Sequence, residues 1–334
     1  MSLEKLKIIA KIPFVFLGMI LGIGLVWGTF EMLQNLGTKA KGGQDHMKIA
    51  VLSDIHGNHI ALETCLKYLK KQKVDAYLFL GDYVGELTGN GKTIDLLRKL
   101  SKRKKCYIVR GNKEEYQFEG LGEDHPEWDA YPSLVGMIRY GREQLSDAQL
   151  EFIQSLPQYL ITDFEGMEEI LLCHGSPNHC KQPAYGKNGV NHEGLQGFPQ
   201  KYILCGHTHR MADYEENGVH YWNPGSVGLP LDGRTQTQFM ILHSRGSEWE
   251  PEWVTLDYDY EAVIEEMQRQ RFYEIAPYWT KITEHLLRGG RTSHGTVLKL
   301  AMELCYQETG ECEWPCIPEI YMKTAYERLI GAVH

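Results

Sequence analysis

The stretch Lys48-Ile49-Ala50-Val51-Leu52-Ser53-Asp54-Ile55-His56-Gly57-Asn58 decides how this chain is read. Its unbroken apolar run, Ile49 to Leu52, predicts a strand buried on both faces. Directly behind it stand a carboxylate and an imidazole, then a glycine that lets the backbone turn. The arrangement recurs along the chain. Ala76-Tyr77-Leu78-Phe79-Leu80 leads into Gly81-Asp82, and Cys106-Tyr107-Ile108-Val109 is followed shortly by Gly111-Asn112. Ile170-Leu171-Leu172-Cys173 leads into His174-Gly175, and Tyr202-Ile203-Leu204-Cys205 into Gly206-His207-Thr208-His209. Strand ends that open onto loops are where an open α/β sheet gathers its ligands.

The side chains so placed are metal-ligand types: His56, His174, His207 and His209, the carboxylates Asp54 and Asp82, and the amide Asn112. Imidazoles mixed with carboxylates suit borderline divalent transition metals better than Mg²⁺, which prefers oxygen alone. Asp82 is alone on its strand end and reads as a carboxylate shared by two ions. Ions held ~3.5–4 Å apart in this way clamp the attacking and leaving oxygens of a displacement at phosphorus.

In this order the motifs resemble the pattern of the calcineurin-like metallophosphoesterases, D-x-H, G-D, G-N-H-[DE], H-G and G-H-x-H, from about Met47 to Asp257. The resemblance implies an α/β fold, a four-layer α-β-β-α sandwich, here with a helical C-terminal extension. It implies one metal on Asp54, His56, Asp82 and His209, and another on Asp82, Asn112, His174 and His207. Manganese is the first expectation, with iron, zinc or nickel as alternatives. The implied reaction is attack of metal-bound hydroxide on a small phosphorylated, nucleotide-like substrate, a diester before a monoester, with Asp82, His207 and Lys113 at the reacting centre. Gly57-Asn58, His174-Gly175-Ser176-Pro177 and Asn223-Pro224-Gly225-Ser226-Val227-Gly228 are similar to the small bacterial phosphodiesterase branch. The Asp-Arg-Gly of the Ser/Thr protein phosphatases is missing after Asp82, where the chain runs Tyr83-Val84-Gly85-Glu86. One position departs from the family: Lys113, followed by Glu114, stands where a histidine usually follows Gly-Asn. A lysine supplies charge, but its ordinary pKa near 10.4 makes it a slow acid.

Asn58, His59 and Arg110 lie beside these motifs and are candidate phosphate contacts. The segment Ser176–Gln200, with Asn178, His179, Lys181, Lys187 and His192 among Gly and Pro, is a candidate specificity loop. Two alternatives stand against the phosphodiesterase reading. A catalytically weak metal-binding scaffold would show eroded ligands, whereas all seven positions are filled here. A membrane-associated lipid-pyrophosphate hydrolase would need a hydrophobic acceptor groove.

At 334 residues, 43% of them apolar, the chain can bury a sizeable core. A net charge of −9 argues against a hold on nucleic acid polymers, which needs a basic surface. The eight cysteines show no disulfide framework, and Cys106, Cys173 and Cys205 lie in strand-like runs, so reduced thiols and a cytoplasmic location are expected. Three regions follow: residues 1–46, 47–256 and 257–334. Ile12 to Phe30 is 19 residues without a charge, a candidate membrane anchor, while Met47-Lys48-Ile49 reads as a natural start that would make residues 1–46 non-native. Oligomeric state is not legible.

Apolar spacing predicts helices over Ile60–Gln72 and Thr93–Ser101, and a capping box at Ser146 and Gln149 opens a third. Strands are expected around 158–162, 219–222, 238–243 and 252–255. Helical spacing returns over 260–270, 276–287, 293–306 and 317–329. The aromatics there, Phe272, Tyr273, Tyr278, Trp279 and Trp314, read first as core and second as a pocket for a base.

Overall fold

The computed structural model describes residues 47–118, 129–186 and 189–331. The candidate anchor at residues 12–30 lies outside them. No described helix is long and apolar enough to cross a membrane.

The opening stretch forms β1 (Lys48–Leu52), buried from Ile49 onward. Helix α1 (His59–Gln72) carries the chain to β2 (Ala76–Phe79), and α2 (Asn90–Ser101) carries it to β3 (Lys105–Ile108). These strands pair in parallel, as helical crossovers require. Next come α3 (Asn112–Tyr116), a widened turn over Pro132–Gly136, α4 (Met137–Glu143) and α5 (Asp147–Gln154), the last opened by the expected capping box. Then follow β4 (Tyr159–Thr162), β5 (Ile170–Cys173), the short β6 (Tyr185–Gly186) and β7 (Gly189–Val190), and β8 (Tyr202–Leu204). The remaining strands are β9 (Met211–Glu216), β10 (Val219–Pro224), β11 (Thr237–Arg245) and β12 (Glu248–Leu256). Helices α6 (Tyr260–Arg269), α7 (Phe272–Ile275), α8 (Pro277–Leu287), α9 (His294–Thr309) and α10 (Glu319–Leu329) complete the described chain.

Two five-stranded mixed sheets result, in orders β12-β11-β1-β2-β3 and β4-β5-β8-β10-β9. Between them lies a core of Ile49, Val51, Leu78, Leu80, Leu172, Leu204, Met240 and Leu242. The strand positions between these residues face the other way in the first sheet. Ala50, Leu52, Tyr77 and Phe79 pack with Leu62, Leu69, Ile94 and Leu97 of α1 and α2. The near-continuous apolar runs of β1 and β2 are therefore what burial on both faces demands.

The outer face of the second sheet, Leu171, Cys173, Ile203 and Tyr221, is covered by Ala184, Leu195 and Phe198 of the 176–200 segment. The fourth layer is thus built from this segment and its β6–β7 hairpin. Helices α6 to α10 share one core with Leu87, Leu134, Met137, Ile138 and Leu229, which brings the C-terminal extension onto the loops at the strand ends. All eight cysteines are free thiols, and Cys65, Cys173 and Cys205 are fully enclosed.

Candidate metal centre

Every sequence motif emerges from the carboxyl end of a strand in the parallel parts of the two sheets. Asp54 and His56 follow β1, Asp82 follows β2, Asn112 follows β3, His174 follows β5, and His207 and His209 follow β8. The ligand-type atoms of Asp54, His56, Asp82 and His209 lie within 4.8 Å of one another.

Backbone strain concentrates here. Asp54, His56, Asp82, His207 and His209 have φ of 55°, 53°, 55°, 68° and 54°, the left-handed region that side-chain-bearing residues rarely occupy. Each such residue costs roughly 1–3 kcal/mol and persists only where its surroundings impose it. Hydrogen bonds impose it here. Asp54 N–H donates to Gly81 O (3.1 Å), and the N–H groups of Ile55 and His56 both donate to Asp82 O (2.8 and 2.9 Å), tying the first two loops together. The motif Asn223–Gly228 clamps the others. Asn223 Nδ2 donates to Gly206 O (2.7 Å), and Ser226 Oγ donates to Asp54 O (2.7 Å). Two glycines are required by close approach. A Cβ on Gly111 would meet Asp82 Oδ1 at 2.2 Å, and one on Gly206 would meet Ser53 Oγ at 2.0 Å.

By their mutual distances the side chains fall into two groups, with Asp82 close to both. In the first, His209 Nε2 lies 2.9 Å from His56 Nε2 and 3.3 Å from Asp54 Oδ1. His56 Nε2 lies 3.7 Å from Asp82 Oδ2. In the second, His174 Nε2 and His207 Nδ1 each stand 3.1 Å from Asn112 Oδ1, and His174 Nε2 is 3.3 Å from that same Asp82 Oδ2.

The outer contacts fix which ring nitrogens point inward. His174 Nδ1 donates to Leu80 O (2.8 Å) and His209 Nδ1 donates to Leu229 O (2.7 Å), so each neutral ring turns the lone pair of its Nε2 inward. His56 does the same through the Glu86 carboxylate at its Nδ1. With the rings neutral, lone pairs and carboxylate oxygens converge, a donor set that fits a divalent metal.

Titration expresses the same excess of negative potential. Burial alone would depress His56 and His174, but Glu86 and the two aspartates raise His56 to about 10, and the two aspartates with the Leu80 carbonyl raise His174 to about 9. Burial alone would raise the two aspartates. The surrounding histidines instead hold Asp82 below the ordinary carboxylate range and Asp54 well below it. His207 is lowered to about 4 by burial and by His174.

Lys113 does reach the site. Its ammonium pairs with Glu86 Oε1 while Glu86 Oε2 holds His56. The three candidate phosphate contacts are engaged with other partners. Asn58 caps α1 through Ala61 N–H (3.0 Å) and donates to Gly228 O (3.1 Å); His59 Nδ1 lies 3.5 Å from Glu266; Arg110 Nε lies 3.5 Å from Glu115. Each has a structural partner, and none lines the cavity that opens from the cluster. Of the 176–200 candidates, Asn178, His179, Lys181 and His192 do not line it either, and Lys187 lies outside the described residues.

Glu86, Glu114 and His294 were not foreseen as contributors. Glu114 Oε2 accepts the N–H groups of Gly111 (2.7 Å) and Asp82 (2.9 Å), and Oε1 accepts those of Tyr83 (2.7 Å) and Val84 (3.2 Å). Its sequence signal was the acidic position that closes the G-N-H-[DE] motif of the resembled family, three residues after Gly111. His294 lines the cavity, with its ring against Trp279 at 4.4 Å between centroids, and nothing in the sequence marked it.

Residues 47–247 match the calcineurin-like phosphoesterase superfamily domain. An uncharacterized protein of Methanocaldococcus jannaschii is 26% identical over 247 residues, covering 68% of this chain and 94% of that protein. A hypothetical protein of Pyrococcus horikoshii superposes with a TM-score of 0.61 at 18% identity, over 74% of this chain and all but 1% of its own, being covered to 99%. A metallophosphoesterase of Sphaerobacter thermophilus superposes with a TM-score of 0.54 at 22% identity, over 67% of this chain and 94% of its own. The ordered motifs, the two packed sheets and the matched domain agree: the chain belongs to the calcineurin-like phosphoesterase superfamily and is a metal-dependent phosphoric ester hydrolase.

Proposed function

We propose that the seven side chains hold two divalent transition-metal ions, manganese first among them, and that the enzyme is a phosphodiesterase of small nucleotide-like esters. The observation that carries this reading is Asp82 Oδ2, which faces His56 of one group and His174 of the other at 3.7 and 3.3 Å. Asp54, His56 and His209 would complete one site, and Asn112, His174 and His207 the other. Ions so placed supply Lewis acidity to the phosphoryl oxygens and make water a competent nucleophile at neutral pH.

The protein's own part is orientation. The carbonyls of Leu80 and Leu229 and the Glu86 carboxylate set three imidazoles, and such partners are commonly worth roughly 10- to 100-fold in metal affinity. Lys113 acts through Glu86, as a positioning residue. Its ammonium is already engaged there, and among the described residues it is the one lysine or arginine lining the cavity. A dianionic monoester would find no spare cation in that lining. A monoanionic diester needs none, which favours the diester.

Metal analysis of the manganese-loaded protein tests the core of this reading. Two ions per chain are expected, falling to one or none in Asp82→Asn. One ion per chain in the unaltered protein would rule out the dinuclear reading.

A further inference from the structure

The cavity that opens from the candidate metal cluster has a volume of about 320 Å³, in the range of small-molecule sites. Its polar lining includes His56, Asp82 and Asn112, and its apolar lining includes Met137 of α4, Trp279 and Leu286 of α8, Leu298 of α9, and Trp314. The C-terminal extension supplies four of these apolar residues, and Tyr116, Leu134, Ile138, Leu229 and Leu231 complete the apolar lining.

Resting on the metal-centre reading above, we propose that this cavity seats a flat apolar ring carried by the phosphoester, so that the C-terminal helices select ring-bearing esters. Three observations lead there. The first is charge. Glu86 already pairs with Lys113, no other lysine or arginine lines the cavity among the described residues, and the Lys181 ammonium outside the lining sits 4.7 Å over the Tyr116 ring, so the lining itself offers no lysine or arginine free for a second phosphate. A ring without charge fits that lining, and a polyphosphate chain does not.

The second is shape. The rings of Tyr116 and Trp279 have centroids 5.5 and 5.7 Å from the same Lys113 ammonium, and Trp314 packs on Tyr116 at 5.5 Å. Aromatic walls reward a planar guest by stacking, which a flexible chain cannot match. The third is rigidity. The Trp279 ring is held by stacking on the His294 ring at 4.4 Å, and His294 Nε2 lies 3.3 Å from the Trp279 carbonyl and 2.9 Å from Thr283 Oγ1. A wall held in place before the ligand arrives loses little entropy on binding.

Calorimetric titration of the manganese-loaded full chain with methylphosphonate, phenylphosphonate and hexylphosphonate tests this without turnover. All three present the same anion to the metals. Phenylphosphonate is expected to bind on the order of tenfold tighter than methylphosphonate or better, from the apolar area the ring buries. It is also expected to bind tighter than hexylphosphonate, although the hexyl chain is the more hydrophobic group. Equal affinities for methyl and phenyl would overturn the proposal, and so would hexyl binding tighter than phenyl, which would assign the cavity to a chain. Failure of every phosphonate to bind would strike the metal-centre reading itself and remove this proposal with it. Leu298→Trp and Leu231→Trp, from two separate segments of the lining, should each lower the phenyl-to-methyl ratio. A ratio unchanged in both would place the ring elsewhere and overturn the assignment.

Discussion

Glu86 holds two partners with one buried carboxylate, His56 through one oxygen and Lys113 through the other. Losing the charge at this position should loosen His56 without removing a candidate ligand. Glu86→Gln is expected to weaken metal binding by roughly 10- to 100-fold, the range for partners that orient a ligating histidine. A metal titration monitored by displacement of a chelating dye would measure it. Lys113→Met should weaken metal binding in the same direction, because it leaves Glu86 half-paired and buried, and Lys113→Arg should restore it. A Lys113 that served only as proton donor would behave differently, lowering kcat and leaving metal affinity unchanged. Glu86 was invisible in the sequence because a glutamate four residues past Gly-Asp has no distinctive spacing. Its role exists only because the turn at Gly85 swings it back toward His56, where a Cβ on Gly85 would meet His56 Nδ1 at 2.9 Å. Asn58, His59 and Arg110, read as phosphate contacts, stand outside the cavity lining for the converse reason. Nearness in sequence to a ligand does not aim a side chain, and each found a partner pointing away from the cavity.

Helix α3 is only five residues long, yet it arranges the loops of two other strands. Glu114 in its first turn receives four backbone N–H groups from Gly111 and from Asp82 to Val84, so one carboxylate fixes the Asp82 loop against the Asn112 loop. Glu114→Ala would leave those donors buried and unpaired. Such groups cost roughly 1–3 kcal/mol each, so a loss of about 3 kcal/mol or more is expected from urea unfolding, with weaker metal binding alongside. A change under about 0.5 kcal/mol, typical of an ordinary surface substitution, would contradict this role. The elements that carry strong periodicity were legible. The apolar runs of β1, β2, β5 and β8, the amphipathic faces of α1 and α2, and the capping box of α5 all lie where their patterns put them. The segment from Pro132 to Glu143 gave no such signal. Its first turn is widened and lies so close to α7 that a Cβ on Gly136 would meet Ile275 O at 2.0 Å. A tertiary contact, not a local pattern, specifies that segment. Strand β9 also escaped notice, because as an edge strand it is only partly buried and its sequence is mostly polar.

Over the whole molecule, the sheets deliver residues from five separate strand ends to one point, and the C-terminal helices close over the cavity beside it. The convergence was legible because each ligand-type residue follows a buried strand, and parallel strands share one end. What the extension does was not legible. Its apolar residues serve the packed core and the cavity wall alike, and a sequence cannot show which atoms a cavity leaves uncovered. The cluster gathers strained backbone, two carboxylates and four imidazoles into a donor set for a cation, so metal should stabilise the folded state. At a hundredfold excess over Kd an ion binding only that state adds about 2.7 kcal/mol. Chelation is therefore expected to lower Tm by on the order of 5 °C, reversed by added Mn²⁺. An unchanged Tm would mean the cluster holds no ion under those conditions. The most direct measurement is the rate at which the manganese-loaded full chain hydrolyses bis(p-nitrophenyl) phosphate, set beside p-nitrophenyl phosphate and the Asp82→Asn variant. Diester turnover that exceeds monoester turnover and is abolished in Asp82→Asn is the predicted result. Two ions bound per chain with no turnover of either ester would contradict it and leave a metal-binding scaffold.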